Sequence, residues 1–293
     1  MTVTAMAKSV LGPMGIELRA VYQGLSAWSL RAALREQDLA ELAQSLRRVT
    51  PNLRDQYTIG IDETEYLRYW EIKMRGLHAF QVRAALDALA AVDGSGLTLV
   101  DIGDSSGQHG EYIRALASAG KIGRFVSVNL DPVAVEKVRA RGGDAIRCRA
   151  EELDLEGVRP DLIVSFQTIE HLTDPVRFLH EMATAAAAEY LLITVPYRRR
   201  SRFGGAHLRL PEDRMPARMT AEEVHVFELS PDDWALLARF AGWSTVFRRI
   251  YRQYPLRSPL RLTAPMWRRL DFEGFLALFL RRDLSVADRY SDW

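Results

Sequence analysis

Two periodicities divide the chain. Up to about residue 92, apolar positions recur at helical spacing. Residues 15–48 carry Leu25, Leu30, Leu34, Leu39, Leu42 and Leu46 in such a pattern, which ends at the turn-prone Thr50-Pro51-Asn52. A second helical run covers 62–92, with Asp62 or Thr64 as its cap and Ala85, Leu86, Leu89 and Ala90 as its apolar face. Within it Tyr66, Trp70, Met74 and His78 recur every four residues, a stripe suited to core packing or to roofing a ligand, as Gln81 also is. Asp93-Gly94-Ser95-Gly96 stops the run.

Beyond that stop, short apolar runs alternate with helical ones. Strands are predicted at 97–102, 124–130, 145–149, 161–166, 190–195 and 243–250, with helices at 111–119, 132–141 and 175–187 and a further one starting at Ser230-Pro231. Strands alternating with helices at this spacing imply a parallel sheet covered on both faces. Residues 197–224 are polar and rich in arginine and proline, which predicts a loop or lid. The remaining 251–293 mixes arginines with Trp267, Phe272, Phe275 and Phe279 and is expected to pack on the core. The organisation expected is a helical extension over 1–92, an α/β domain over 93–250 and a C-terminal segment over 251–293.

Composition narrows the function classes. The 293 residues are 48% hydrophobic and 26% charged, as in ordinary globular proteins. Thirty-nine basic and 38 acidic residues leave a formal charge of +1, so no global field draws nucleic acid or a membrane surface. The single cysteine, Cys148, excludes an internal disulfide and a CxxC metal site, and it fits a reducing cytoplasm. The N-terminus has no signal-peptide layout. The apolar stretch Met182 to Val195 is interrupted by Glu189 and is too short to span a bilayer. No His, Cys, Asp and Glu grouping has metal-ligand spacing along the chain, so no metal is expected.

The chemistry concentrates at Leu97-Thr-Leu-Val-Asp-Ile-Gly-Asp-Ser-Ser-Gly-Gln-His-Gly110. A glycine-bearing turn between a first parallel strand and its helix brings backbone N–H groups close to a ligand. Asp101 precedes the glycines, where it repels a pyrophosphate and attracts an ammonium group. The Walker lysine and the GxGxxG spacing are both absent, which disfavours a dinucleotide oxidoreductase. These residues resemble the first motif of class I S-adenosylmethionine-dependent methyltransferases, Asp/Glu-x-Gly-x-Gly-x-Gly. Asp101, Gly103 and Gly107 match, and Ser105 replaces the middle glycine. The resemblance runs over about 97–247. It includes Ser165-Phe-Gln-Thr-Ile-Glu-His-Leu-Thr-Asp-Pro175 and the ending His225-Val-Phe-Glu-Leu-Ser-Pro-Asp-Asp-Trp with Phe240-Ala-Gly-Trp243.

The resemblance implies a Rossmann-like, doubly wound, mostly parallel sheet of the seven-stranded methyltransferase type, S-adenosylmethionine as cofactor, and roles for matching positions. Asp101, Gly103, Ser105 and Gly107 would face its methionine part. Asn129, where the family has an acid, or Asp131 would meet the ribose, next to Leu130. Ala150 and Glu151 fall on the adenine side, where Arg149 replaces an acid. Phe166 and Gln167 would line the cleft, with Glu170 and His171 at its mouth. His171 or His225 is the candidate general base for an oxygen nucleophile, while His109 reads as a neighbour of the cofactor. Arg198, Arg199, Arg200, Arg202, Arg248, Arg249, Arg252 and Arg257 suggest an anionic acceptor. The function expected is O-methylation of a sugar or glycan precursor. N-methylation of a small molecule and a silent cofactor-binding module are the rivals.

Overall fold

A computed structural model describes residues 18–53, 66–186, 188–220, 224–257, 259–269 and 273–293. The candidate caps Asp62 and Thr64, and Phe272, lie outside them. The chain forms two compact units.

The first unit comprises 1–79 and 252–272. Its helices include α1 (Leu18–Glu36), α2 (Ala40–Val49) and the beginning of α3 (Glu71–Ala91), which a π-helical turn, Tyr66–Trp70, precedes. The helix predicted over 15–48 is two helices, because Asp38 adopts a left-handed conformation (φ 55°) that interrupts the first run. Leu30, Leu34, Leu39 and Leu46 of that pattern are buried, whereas Leu25 is exposed. Of the four-residue stripe, His78 is buried and Trp70 and Met74 are half-buried. Glu71, also buried, receives Arg47 at 2.7 Å and Arg75 at 3.2 Å, so its charge is paired inside the unit.

The second unit comprises 80–251 and 273–293. Its seven strands are β1 (Leu97–Ile102), β2 (Ile122–Asn129), β3 (Asp144–Arg147), β4 (Leu162–Phe166), β5 (Tyr190–Pro196), β8 (Trp243–Tyr251) and β9 (Phe275–Arg282). They lie in the order β3-β2-β1-β4-β5-β9-β8. The first five are mutually parallel, and β9 runs antiparallel to both β5 and β8. A two-stranded ribbon, β6 (Arg202–Phe203) with β7 (Phe227–Glu228), stands apart from this sheet. Helices α4 (Gln108–Leu116), α5 (Pro132–Ala140), α6 (Pro175–Thr184) and α7 (Pro231–Phe240) follow strands. Three of them start as their sequences dictate, with Asp131, Asp174 and Ser230 accepting hydrogen bonds from the first turn and proline at the first helical position.

The strand β9 was not among the predicted elements. Leu276 to Leu280 are fully buried and pair on both sides, so this part of the tail is an inner strand of the sheet rather than a cover for it. A continuous apolar run in a strand flanked on both sides is what burial of both faces demands. The core around the sheet includes Ile163, Phe178, Met182, Leu191, Trp234, Trp243 and Leu278. The order reverses between β1 and β4, the point at which sheets of this type open a crevice beyond the strand ends.

Candidate functional site

The crevice at the ends of β1 and β4 is lined by a buried polar network. Asp101, next to last in β1, is fully buried, Asp104 is 1% exposed, and both face the buried ring of His109 on α4. His109 Nδ1 lies 3.4 Å from Asp101 Oδ2 and 3.8 Å from Asp104 Oδ1, at ion-pair distances. Neither Asp101 oxygen accepts a well-aligned hydrogen bond, whereas Asp104 Oδ2 accepts one from Ser127 Oγ at 2.7 Å. On its other side His109 Nε2 donates to Gln81 Oε1 (3.1 Å), and Gln81 Nε2 donates to Thr194 Oγ1 (3.2 Å). The edge of His109 also packs on Phe166, with ring centroids 4.7 Å apart. His109 and Gln81, minor candidates by sequence, are therefore the hub of the network. Nothing local in the chain signals this, because 28 residues separate them.

Burial pushes the Asp101 carboxyl well above the usual carboxylate range, helped by the Asp104 charge and opposed by His109. Burial alone would lower His109, yet the two carboxylates carry it up to about 9. Both shifts mean that the folded chain holds protons the unfolded chain releases. The His109 contribution is full below pH 6.5 and is lost as pH rises through about 9, and the Asp101 contribution is full below pH 3.8 and is lost as pH rises through about 7. Urea unfolding at pH 6.5 and 9 should show this fall, and His109→Gln should flatten it. A stability that stayed level or rose in the natural protein would contradict the assignment.

Backbone geometry shapes the rest of the turn. Gly103 (φ 89°) and Gly107 (φ 80°) occupy left-handed conformations, and Gly103 and Ser105 are exposed. A Cβ on Gly103 would collide with the Thr168 hydroxyl, which itself donates to Ile102 O at 3.2 Å. Asn129 has both ends of its amide engaged. Nδ2 donates to Asp104 O (2.5 Å) and Oδ1 accepts from Asp131 N (2.8 Å). Asp131 Oδ1 accepts from Val133 N. These two residues hold the loops together, while Leu130 between them is 47% exposed. Ala150 and Glu151 lie on a short 3₁₀ turn, with Glu151 3.7 Å from Arg149. Gln167 holds a left-handed φ of 56°, a strained conformation for a non-glycine residue, and its N–H donates to Thr194 O at 2.8 Å.

Residues 166–171 run from this network to a second cluster. Glu170 is fully buried, and His171 Nε2 lies 3.9 Å from its Oε1. The His171 and His225 rings meet edge to face, with centroids 4.9 Å apart. Fifty-three residues separate the His171–Val224 pair of partners, so the two candidate bases, alternatives in the sequence, form one site. His225 Nδ1 is 3.2 Å from Glu228 Oε1, and Arg202 Nε donates to Glu228 Oε2 at 2.6 Å. Arg198 is 3.7 Å from the same oxygen. Arg198 and Arg202, together with Arg199, Arg200, Arg209 and Glu273, line a cavity of about 570 Å³. Arg248 and Arg249, in contrast, pair with Asp232 and Asp87 elsewhere on this unit.

Residues 100–189 match the family model of a methyltransferase domain. Over these residues the chain is similar to a methyltransferase domain. Its fold is Rossmann-like. No curated protein matches the chain. Among solved structures, the 4+2 cyclase SpnF is similar at 15% identity, covering 83% of this chain and 96% of that one, with a TM-score of 0.50. The 1,6-didemethyltoxoflavin-N1-methyltransferase of Burkholderia thailandensis is similar at 16% identity, covering 78% and 93%, with a TM-score of 0.48. An S-adenosylmethionine-dependent methyltransferase from Mesorhizobium loti is similar at 15% identity, covering 68% and 98%, with a TM-score of 0.46. Among the described residues, no helix of the protein is long and apolar enough to cross a membrane.

Proposed function

We propose that the methyltransferase domain methylates a hydroxyl group of a small anionic acceptor, of the sugar or glycan-precursor class. The observation that carries this reading is the arginine-lined cavity joined to His225 through Glu228. Its size falls within the range of small-molecule pockets. Arg199 and Arg200 are exposed and make no ion pair among the described residues, so their charge is available to a phosphate or carboxylate.

The donor set around the turn suits S-adenosylmethionine. Two buried carboxylates with oxygens lacking hydrogen-bond partners place negative potential where an ammonium and a sulfonium need it. Gly103 and Ser105 would hold the methionine part through exposed backbone, and exposed Leu130 with half-buried Ala150, Glu151 and Gln167 would flank the nucleoside. Gly107 keeps the turn in shape. Asn129 acts on the loop rather than on the ribose, because its amide is spent on Asp104 and Asp131. S-adenosylmethionine supplies an electrophilic methyl group. The chain's own contribution is positioning, since an in-line displacement gains most from alignment. The acceptor hydroxyl is placed at the Glu170–His171–His225 cluster, which assists loss of its proton.

An Arg199→Ala, Arg200→Ala double variant should raise KM for a phosphorylated or carboxylated sugar about tenfold, as loss of a charge-assisted contact implies. Its kcat should stay within about twofold. Equal KM values for charged and uncharged acceptors would refute the anionic reading. Ser105 and Arg149 depart from the family motif and support a second reading, a binding module without turnover. Cofactor binding with no methylated product across charged and uncharged hydroxyl and amine acceptors would favour it.

A further inference from the structure

We infer that Glu170, His171 and His225 bind a divalent first-row transition-metal cation of the manganese, iron, cobalt or zinc class. This rests on the proposed placement of the acceptor at the same cluster and adds the means by which its hydroxyl is held. One donor atom from each of the three residues lies within 4.8 Å of the other two. Donors that share a cation at 2.0–2.2 Å sit about 3–4 Å apart. Glu170 Oε1 and His171 Nε2, at 3.9 Å, are already at that separation. Small side-chain rotations close the remainder.

Three further features point to a cation. Glu170 is fully buried, and among the described residues neither of its oxygens accepts a hydrogen bond from another residue. A buried carboxylate without a partner is costly, and a dication at its face removes that cost. Each imidazole is also held in the tautomer that a ligand requires. His171 Nδ1 lies 2.9 Å from Val224 O, which can only accept, so Nδ1 carries the proton and Nε2 the lone pair. His225 Nδ1 lies 3.2 Å from Glu228 Oε1, while Arg202 Nε donates to Glu228 Oε2, so the Nδ1 proton points at the carboxylate and the same tautomer follows. Histidine ligands hydrogen-bonded through the second nitrogen to a carbonyl or a carboxylate are the usual supporting arrangement of a metal site. Finally, the cluster has an open side, with the His225 side chain 35% exposed and that of His171 15% exposed. Two imidazoles and one carboxylate leave coordination positions for water or an acceptor oxygen.

The two imidazoles in the donor set disfavour Ca²⁺ and Mg²⁺, which prefer oxygen ligands. The three ligands were invisible as a group in the sequence, since His225 follows His171 only after the long arginine-bearing segment. The second group of possible donors, Asp101, Asp104 and His109, is fully buried and already satisfied in part by Ser127 and Gln81. It provides the control.

The test is calorimetric titration of chelator-treated full-length protein with Mn²⁺ and Zn²⁺, together with the visible absorption spectrum after Co²⁺ addition. One cation per chain with micromolar or tighter affinity is expected, and Co²⁺ should show d–d bands that S-adenosylmethionine is not needed to elicit. Glu170→Gln and, at the more exposed position, His225→Gln should each weaken binding at least a hundredfold, whereas Asp104→Asn should leave it unchanged. The melting temperature of each variant checks that folding is retained. Absence of stoichiometric binding, or binding that both variants keep, overturns the inference. Cofactor titration of the same metal-free protein separates the two failures. S-adenosylmethionine binding without any metal binding leaves the methyltransferase reading standing and returns the imidazoles to the role of bases.

Discussion

Gly103→Val is expected to lose cofactor binding by more than a hundredfold and to lower stability by roughly 2–4 kcal/mol. Two effects add. The backbone of Gly103 sits at φ 89°, a conformation that a β-branched residue adopts only under strain. Its new side chain also meets the Thr168 hydroxyl, which must move and give up its bond to Ile102 O. Because Thr168 belongs to the link between the two clusters, the disturbance reaches both. Gly120→Val separates the two effects. Gly120 has a similar φ of 72° but open space around it, so only the conformational part, about 1–2 kcal/mol, should appear there, with cofactor affinity unchanged. Equilibrium denaturation and titration with S-adenosylmethionine measure the two outcomes. Equal penalties at both glycines would show that the Thr168 contact contributes nothing.

Trp243→Ala should cost about 3–5 kcal/mol, the range for removing a fully buried aromatic side chain. Trp243 opens β8 at 1% exposure, packs in the core that includes Trp234 and Phe178, and donates from Nε1 to Leu179 O at 2.8 Å. The alanine variant leaves a cavity and deprives that buried carbonyl of its donor. Trp243→Phe refills most of the volume but not the hydrogen bond, and should cost roughly 1–2 kcal/mol. Urea unfolding distinguishes them. A small loss in the alanine variant would mean that the edge of the sheet at β8 relaxes independently of the core.

Much of this architecture was legible before any coordinates. Alternation of short apolar runs with helical ones placed β1 to β5 and β8, and the Asp-Pro and Ser-Pro pairs marked three helix starts, because cap chemistry is local. What local pattern could not show depended on distant pairing. The strand β9 looks like a tail in sequence, since a buried run is recognised as a strand only when its neighbours are known. The helical run before Thr50 is broken at Asp38, a left-handed position that the leucine periodicity conceals.

The candidate site divides in the same way. The turn from Asp101 to Gly107 was readable because glycine and an acid at that spacing have a direct backbone meaning. Asn129 was less so. Only the fold shows that its amide is consumed by Asp104 and Asp131. The partnership of His109 with two carboxylates, and that of Glu170 and His171 with His225, arise from contacts across strands and loops.

The central claim is that the crevice around Asp101 binds S-adenosylmethionine. Calorimetric titration of the natural protein and of Asp101→Asn with S-adenosylmethionine and S-adenosylhomocysteine tests it most directly. The variant keeps the side-chain volume and removes the charge, which should weaken S-adenosylmethionine binding about ten- to a hundredfold, as loss of a charged hydrogen-bond partner does. The account predicts one site per chain for both ligands in the natural protein, with that loss in the variant. No heat of binding with either ligand, or an affinity that Asp101→Asn leaves unchanged, would contradict it.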